Sequence, residues 1–243
     1  MRPDSNRSAA RTRRTGSILV GLLSGLCLSP VAAQVDDDQL GAWYMYFWST
    51  RLDDGRFGFQ GDGQYRAWDL GGDLEQLLLR GGATYTPRSG GVTFTLGYAN
   101  VTSGEFGGDD DTSGESRIYQ EALLPQKVGP RVHLGHRFRF EQRWVENQDF
   151  RTRFRYALFV TIPVNDDRLR QGTISVVLSD ELFINGQREI GDGREVELFD
   201  RNRLYGAIGY SFSDALRVQG GYMYQNTDEF GKGQLQLSLH HAF

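Results

Sequence analysis

A strict two-residue alternation over the last ten residues is the feature that most constrains the fold of this chain. One set of alternate residues is Leu235, Leu237, Leu239, His241 and Phe243, and the other is Gln234, Gln236, Ser238, His240 and Ala242. Successive side chains of a β-strand point to opposite faces. The pattern therefore predicts a terminal strand with one mainly apolar face and one polar face.

The same alternation recurs through most of the chain. It is clearest over residues 150–162, where aromatic and aliphatic residues alternate with Arg151, Arg153 and Arg155. The alternating segments run about 9–14 residues, the length that a tilted membrane-spanning strand needs. Counted from the C-terminus they give eleven strands, the first over residues 40–49. We therefore predict an all-β, antiparallel up-and-down transmembrane β-barrel of about 10–12 strands.

The strand count raises a question of parity. Bacterial outer-membrane barrels have an even number of strands, and an odd number places the two chain ends on opposite sides. Either a further strand lies within residues 187–198 or one of the predicted strands is wrong. The long connections, 102–115 and 185–198, are assigned to the outside, and the tight ones, 86–90 and 213–214, to the periplasm.

The N-terminus has the layout of a secretory signal peptide. A basic stretch that ends at Arg13 and Arg14 precedes an apolar run over residues 18–28, and small residues follow at 31–33. The apolar run is too short for a spanning helix. We predict a cleaved signal peptide over 1–33 and an outer-membrane barrel domain over 34–243.

Composition excludes several classes of protein. Removing residues 1–33 removes five arginines and one aspartate, which leaves 22 basic and 30 acidic residues and a formal charge of −8. This acidic balance argues against nucleic acid as a partner. Cys27 is the only cysteine, so the exported part has no disulfide framework. A mean hydropathy of −0.48 suits a membrane barrel, in which only alternate residues meet lipid.

The apolar last strand resembles the assembly signal of bacterial outer-membrane barrels. The resemblance implies that Leu235, Leu237, Leu239 and Phe243 form that signal. The expected partners are the lipid bilayer of the outer membrane and the barrel-assembly machinery, and the expected location is the outer membrane, reached through the periplasm.

An arginine ladder is the most distinctive polar feature. Its arginines occupy the positions of neighbouring predicted strands that point into the barrel. They are Arg137, Arg139, Arg143, Arg151, Arg153, Arg155, Arg201 and Arg203. Hairpin pairing sets these rows side by side, where like charges repel unless carboxylates intervene. The available carboxylates are Glu121, Glu141, Glu181 and Asp180. The interpretation we favour is a lumen filled by an arginine–glutamate network; the alternative is a pore that admits small anions.

Other candidate chemistry is weak. His133 and His136 have opposite parity, and His240 and His241 are adjacent, so neither pair shares a metal on a regular strand. No catalytic residue, cofactor or metal site is predicted. Residues 109–111 are interpreted as a solvated acidic loop, and the aromatic run from Trp43 to Trp48 as part of an interfacial girdle.

Five motifs together resemble one bacterial family. They are ESRI at 115–118, HRFRFEQRW at 136–144, RTRFRY at 151–156, DELFIN at 180–185 and FDRNRLY at 199–205. The chain resembles, over roughly 39–243, the outer-membrane barrel family catalogued as domain of unknown function 2490. The resemblance implies an outer-membrane barrel without an established activity, and it carries over no catalytic residue.

Three function classes remain open. The favoured one is a structural or narrow-pore outer-membrane barrel that is not an enzyme. The second is an outer-membrane lipid hydrolase, for which His136 lies on the lipid face but has no serine two residues away. The third is a soluble periplasmic barrel of lipocalin type that binds an apolar ligand.

Overall fold

Eleven β-strands account for almost all regular structure in the described part of the chain. The computed structural model describes residues 39–52, 55–107, 111–228 and 230–243. The strands are β1 (Gly41–Arg51), β2 (Phe57–Ala67), β3 (Leu74–Tyr85), β4 (Thr93–Gly104), β5 (Thr112–Val128), β6 (Val132–Val145), β7 (Arg151–Pro163), β8 (Ile174–Asn185), β9 (Phe199–Ser211), β10 (Leu216–Asn226) and β11 (Gly231–Ala242). Over these ranges no helix is long and apolar enough to cross a membrane. The predicted signal peptide, 1–33, lies outside the described residues.

The strands form one closed barrel in which each strand pairs with its neighbours in sequence. Pairing is antiparallel throughout, apart from the closing pair, where β1 and β11 run parallel from Gly41↔Gln234 to Ser49↔Ala242. A meander with an odd number of strands brings its first and last strands into the same direction, so closure requires a parallel pair. The all-β barrel prediction is confirmed at eleven strands, and the fully antiparallel closure is corrected.

The parity question is resolved without a further strand. Residues 187–198 hold only an isolated bridge between Glu189 and Glu195 in the described structure. The count of eleven was right, and the expectation of an even number was wrong because the seam is parallel.

The two ends of the barrel differ in the connections that they carry. We call the end with Phe243 the C-terminal rim; it carries the connections 52–56, 86–92, 129–131, 164–173 and 212–215. The opposite N-terminal rim carries the start of β1 and the connections 68–73, 105–111, 146–150, 186–198 and 227–230.

The tight connections predicted at 86–90 and 213–214 thus share one rim, and the two predicted long connections, 102–115 and 185–198, share the other. The first of these is shorter than predicted, because β4 continues to Gly104 and β5 begins at Thr112. Asp109 and Asp110 lie outside the described residues.

Asp69 organises the connection between β2 and β3. Its Oδ1 accepts hydrogen bonds from the backbone amides of Gly71, Gly72 and Asp73 at 2.8, 2.7 and 3.0 Å. These donors favour the charged carboxylate, so they lower the pKa of Asp69 below its ordinary value.

Large apolar side chains cover the outer face of the barrel. Every strand contributes at least one that is more than a third exposed, such as Leu79, Leu96, Leu178, Leu204 and Leu237. We call this surface the outer apolar belt. Polar residues of the same strands point inward and are buried, which is the reverse of the arrangement in a water-soluble barrel.

The aromatic run of β1 divides between the two faces. Tyr44 and Tyr46 are exposed on the outside, whereas Trp43 is buried inside, and Phe47 stacks inside on His240 at 4.8 Å between ring centroids. The interpretation of the whole run as a girdle was therefore wrong for Trp43 and Phe47, because period two sends alternate members inward.

Candidate functional site

The interior of the barrel is densely charged and carries an excess of positive charge. Thirteen basic and seven acidic side chains of the described strands point inward, although the chain as a whole has a net charge of −4. The basic set is Arg66, Arg80, Arg117, Arg137, Arg139, Arg143, Arg151, Arg153, Arg155, Arg201, Arg203, Arg217 and Lys232. The acidic set is Asp62, Glu75, Glu115, Glu121, Glu141, Glu181 and Asp200.

Glu141 on β6 is the centre of an ion-pair network. The side chain is 1% exposed. Its Oε2 accepts hydrogen bonds from Arg153 Nε and Nη2 at 2.9 and 2.7 Å, and its Oε1 accepts one from Arg155 Nη1 at 2.7 Å. Arg153 also donates to Asp200 at 2.8 Å, so both oxygens of Glu141 and both neighbouring arginines are held in place.

Two further glutamates extend this network toward the C-terminal rim. Glu181 Oε1 accepts from Arg137 at 2.7 Å and from Arg155 at 2.9 and 2.7 Å. Glu121 accepts from Arg139 across the β5–β6 hairpin, and Arg137 Nε lies 3.8 Å from the same carboxylate. Arg139 also rests on the ring of Tyr119, 4.5 Å from its centroid.

Glu115 completes the network near the N-terminal rim. It accepts two hydrogen bonds from Arg117, at 2.7 and 2.6 Å, and it pairs with Arg143. We define the ion-pair network as these four glutamates with Asp200 and six of the arginines that pair with them. Its arginines are Arg117, Arg137, Arg139, Arg143, Arg153 and Arg155.

Other members of the predicted ladder are placed differently. Arg201 pairs with Asp200 at 3.1 Å. Arg151 is buried, but it has no carboxylate within 4 Å among the described residues, and its Nε has no partner. Asp180 was wrong as a lumenal partner, since it is exposed on the outer face, where it accepts from Asn202 at 2.6 Å. The parity that sends Glu181 inward sends its neighbour outward.

Three inward arginines lie beside neutral groups rather than carboxylates. Arg66 donates to Gln64 and Gln76, and Arg203 donates to Gln225 at 2.8 Å. Both guanidinium groups face the ring of Trp43, at 3.9 and 4.7 Å from its centroid.

Arg217 is the third such arginine. It lies opposite His240 in the β10–β11 ladder, and its Nε is buried without a hydrogen-bond partner. Within the described part of the chain, no carboxylate lies within 4 Å of Arg66, Arg203 or Arg217.

Two adjoining cavities occupy the interior between this network and the C-terminal rim. The rim cavity, of about 480 Å³, is lined by rim residues that include Leu169, Ser213 and Asp214. The central cavity, of about 250 Å³, lies deeper, beside Trp43 and Arg203. The same six side chains line both cavities: Phe47, Arg80, Arg137, Phe159, Arg217 and His240. The interior therefore opens at the C-terminal rim.

The histidines are separated by the barrel wall. On the outer face, the ring nitrogens of His136 contact Tyr156 Oη at 2.9 Å and Gln126 Oε1 at 3.2 Å. On the inner face, His240 Nε2 contacts Ser238 Oγ at 3.0 Å. No group of three or more potential metal ligands is found among the described residues.

The residues of the predicted assembly signal lie on the outer side of β11. Leu235 and Leu237 are exposed, and their neighbours Gln234 and Gln236 are buried. The His241 ring lies 4.1 Å from the ring of Phe243 between centroids. The structure thus places these residues along one outer face of β11, with Leu235 toward the N-terminal rim and Phe243 at the C-terminal rim.

Sequence reasoning missed part of the interior charge. Arg117 and Arg217 are each the only arginine of their strand, so they did not stand out as a row. Glu115 was part of a motif but was not recognised as a partner for Arg143. The parity of the adjacent strand, once its register is known, is the signal that would have found them.

Comparisons with known proteins place the chain in a family and give no activity. A family model described as "Protein of unknown function (DUF2490)" matches residues 40–236. No curated protein matches the chain, and no solved structure matches it. The chain belongs to the family described as "Protein of unknown function (DUF2490)", the one that its five motifs resemble.

Proposed function

We propose that this protein is an outer-membrane β-barrel with a structural, non-conducting role, in which the ion-pair network closes the lumen. The observation that carries the proposal is the outer apolar belt, to which all eleven strands contribute. Soluble monomers rarely expose apolar patches of more than a few hundred Å². A closed ring of apolar side chains around a charged interior has the polarity expected of a barrel surrounded by lipid.

Aromatic clusters at both rims support the same placement. At the N-terminal rim, Tyr44 Oη donates to the Leu70 carbonyl at 2.7 Å, and Trp144 packs on Phe150 with ring centroids 5.2 Å apart. At the C-terminal rim, Phe57 packs on Tyr85 at 5.1 Å. Amphipathic aromatic rings favour the boundary between lipid and water, and membrane barrels carry a girdle at each interface.

The ion-pair network supports a closed lumen. Its side chains span the interior, with Arg153 linking Glu141 on β6 to Asp200 on β9. The network fills the part of the interior beyond the two cavities, as side chains fill the interiors of barrels of about eight strands. Fixed, mutually paired charges leave little freedom for an ion to pass, so we expect a barrel that does not conduct.

A lipid hydrolase is the less favoured class. His136 lies on the outer face as such an enzyme requires, but Tyr156 and Gln126 occupy both of its ring nitrogens. A catalytic histidine has to reach a nucleophile with one nitrogen. Release of fatty acid from phospholipid vesicles by the purified protein, lost on His136→Ala, would support the enzyme instead.

Cell fractionation tests the membrane placement. We expect protein that begins near Gln34 to fractionate with outer membranes, to resist carbonate extraction and to migrate differently on gels when heated and unheated. A soluble periplasmic monomer would overturn the proposal and favour the soluble ligand-binding barrel.

Planar-bilayer recording tests the closed lumen. We expect no reproducible conductance from the reconstituted protein. Anion-selective channels that weaken or reverse in selectivity in Arg153→Glu would show instead that the ladder lines a pore.

A further inference from the structure

We propose that the interior of the barrel is a binding site for a small organic anion with an apolar group, entered from the C-terminal rim. The site consists of the central cavity and the rim cavity together. The inference rests on charge and cavity shape inside the barrel, so it holds whether or not the outside of the barrel faces lipid.

The charge around the central cavity is unbalanced. Among the described residues, six arginines and one acidic residue, Glu181, line it, and of these arginines Arg80 pairs with Asp62 at 2.9 Å. That glutamate already accepts from Arg137 and Arg155. A buried cation that is not directly paired is costly, and Arg66, Arg203 and Arg217 have no carboxylate within 4 Å in the described part of the chain. A bound anion would supply the missing negative charge.

Arg217 is the best-placed of the three to meet such a ligand. Its side chain lines both cavities, and its buried Nε has no hydrogen-bond partner. Arg66 and Arg203, by contrast, already donate to glutamine side chains. A guanidinium group that lines a cavity and makes no hydrogen bond to another described residue is the feature expected of a site that binds an external acceptor.

The wall of the central cavity adds an apolar requirement. Trp43, Met45, Phe47, Phe159, Val177 and Met223 line it beside the arginines. A small inorganic anion would satisfy the charge but would leave these surfaces in contact with water. An aromatic or aliphatic group on the ligand would cover them. The central cavity alone, at about 250 Å³, is below the usual size of ligand pockets, roughly 300–1,000 Å³, but the adjoining rim cavity adds about 480 Å³ to the site.

Calorimetric titration of the purified protein in detergent micelles tests the site with three probes. Phenyl phosphate carries both the charge and the ring, inorganic phosphate only the charge, and benzyl alcohol only the ring. We expect phenyl phosphate to bind at least tenfold more tightly than either of the others. No binding of phenyl phosphate, or equal binding of one of the partial probes, would overturn the proposal.

Two matched arginine variants locate the site. Arg217→Gln removes a cation that lines both cavities, and we expect it to weaken phenyl phosphate binding by about tenfold or more, the effect of losing a charge-assisted hydrogen bond. Arg151→Gln removes a cation that is also unpaired but lies outside both cavities, and we expect less than a twofold change. Equal losses in the two variants would overturn the site.

A measurement on the unaltered protein tests the site even if one of the variants fails to fold. A ligand that binds only the folded state raises its stability with concentration. We expect phenyl phosphate to raise the unfolding midpoint in urea in a saturable manner, with inorganic phosphate at the same concentration and ionic strength as the control. Identical midpoints with the two probes would contradict the proposal.

Discussion

Replacing Glu141 with glutamine is the sharpest test of the ion-pair network. The substitution keeps the size and shape of the side chain, but it removes one negative charge from a site that is 1% exposed. Glu141 accepts three hydrogen bonds, two from Arg153 and one from Arg155. Glutamine has a single acceptor oxygen, and its amide group would point N–H donors at a guanidinium group. At least one of the two arginines therefore loses its bonds to residue 141.

The structure sets the size of the expected loss. A hydrogen bond to a charged group contributes about 1.5–3 kcal/mol, and removing one partner of a buried ion pair costs about 3–5 kcal/mol. Arg153 keeps Asp200, and Arg155 keeps Glu181, so the loss should fall at the lower end of that range. We expect Glu141→Gln to lower the free energy of unfolding by about 3 kcal/mol.

Urea unfolding of the folded barrel in detergent micelles, followed by tryptophan fluorescence, measures this loss. Trp43 is 3% exposed in the folded state, so its environment should change on unfolding. Arg151→Gln is the matched control, because it removes a buried cation that has no carboxylate within 4 Å among the described residues and whose Nε has no partner. We expect the control to change the free energy of unfolding by less than about 1 kcal/mol, or to increase it, since positive charge is in excess.

A double variant distinguishes the loss of an ion-pair partner from a change in side-chain packing at residue 141. Glu141→Gln combined with Arg153→Met leaves fewer buried charges unpaired, and we expect it to recover part of the stability that the single variant loses. The reasoning would be refuted if Glu141→Gln changed stability by less than about 1 kcal/mol, or if Arg151→Gln were equally harmful.

Three further predictions concern other parts of the barrel. Changing Leu237 and Leu239 to Asp should block membrane insertion in a folding assay with vesicles, since charge on a lipid face costs about 2–4 kcal/mol near the midplane. The control is Gln171→Asp, which lies in an exposed connection. Normal insertion of the double variant would mean that the inner and outer faces of β11 are reversed. Deleting Phe243 should likewise reduce the yield of heat-modifiable barrel in the outer membrane, and an unchanged yield would remove it from the assembly signal. Backbone donors lower the pKa of Asp69, so its carboxylate should stabilise the β2–β3 turn fully at pH values above the ordinary aspartate pKa of about 3.9. This contribution should be lost as the pH falls through the lowered pKa. An NMR titration that gave an ordinary pKa for Asp69 would contradict this.

Period-two alternation of apolar and polar residues was enough to predict most of the fold. It predicted the eleven strands and the inward direction of Arg137, Arg153 and Glu181, because the environment of each face of a strand determines whether alternate residues are apolar or polar. It did not give the parallel seam between β1 and β11. Closure depends on which strands meet after the whole chain has folded, and local periodicity contains no information about that contact.

The interior site was harder to predict than the fold. The ladder on β6 and β7 was visible because its arginines alternate with aromatic residues within one hairpin. The three cavity-lining arginines without a carboxylate within 4 Å, Arg66, Arg203 and Arg217, come from β2, β9 and β10, so only the closed barrel brings them around one cavity. Trp43 was misassigned for a related reason: an aromatic residue on a first strand fits either a lipid interface or a cation-rich interior, and the choice depends on register with β11.

The parallel seam also determines where a label at either end of the described chain will be found. With eleven crossings, residue 39 lies at one rim and Phe243 lies at the other. An even-stranded barrel would return both to the same rim. In the membrane placement proposed above, an epitope inserted just before β1 and one attached after Phe243 would therefore be reached by antibody from opposite sides of the outer membrane.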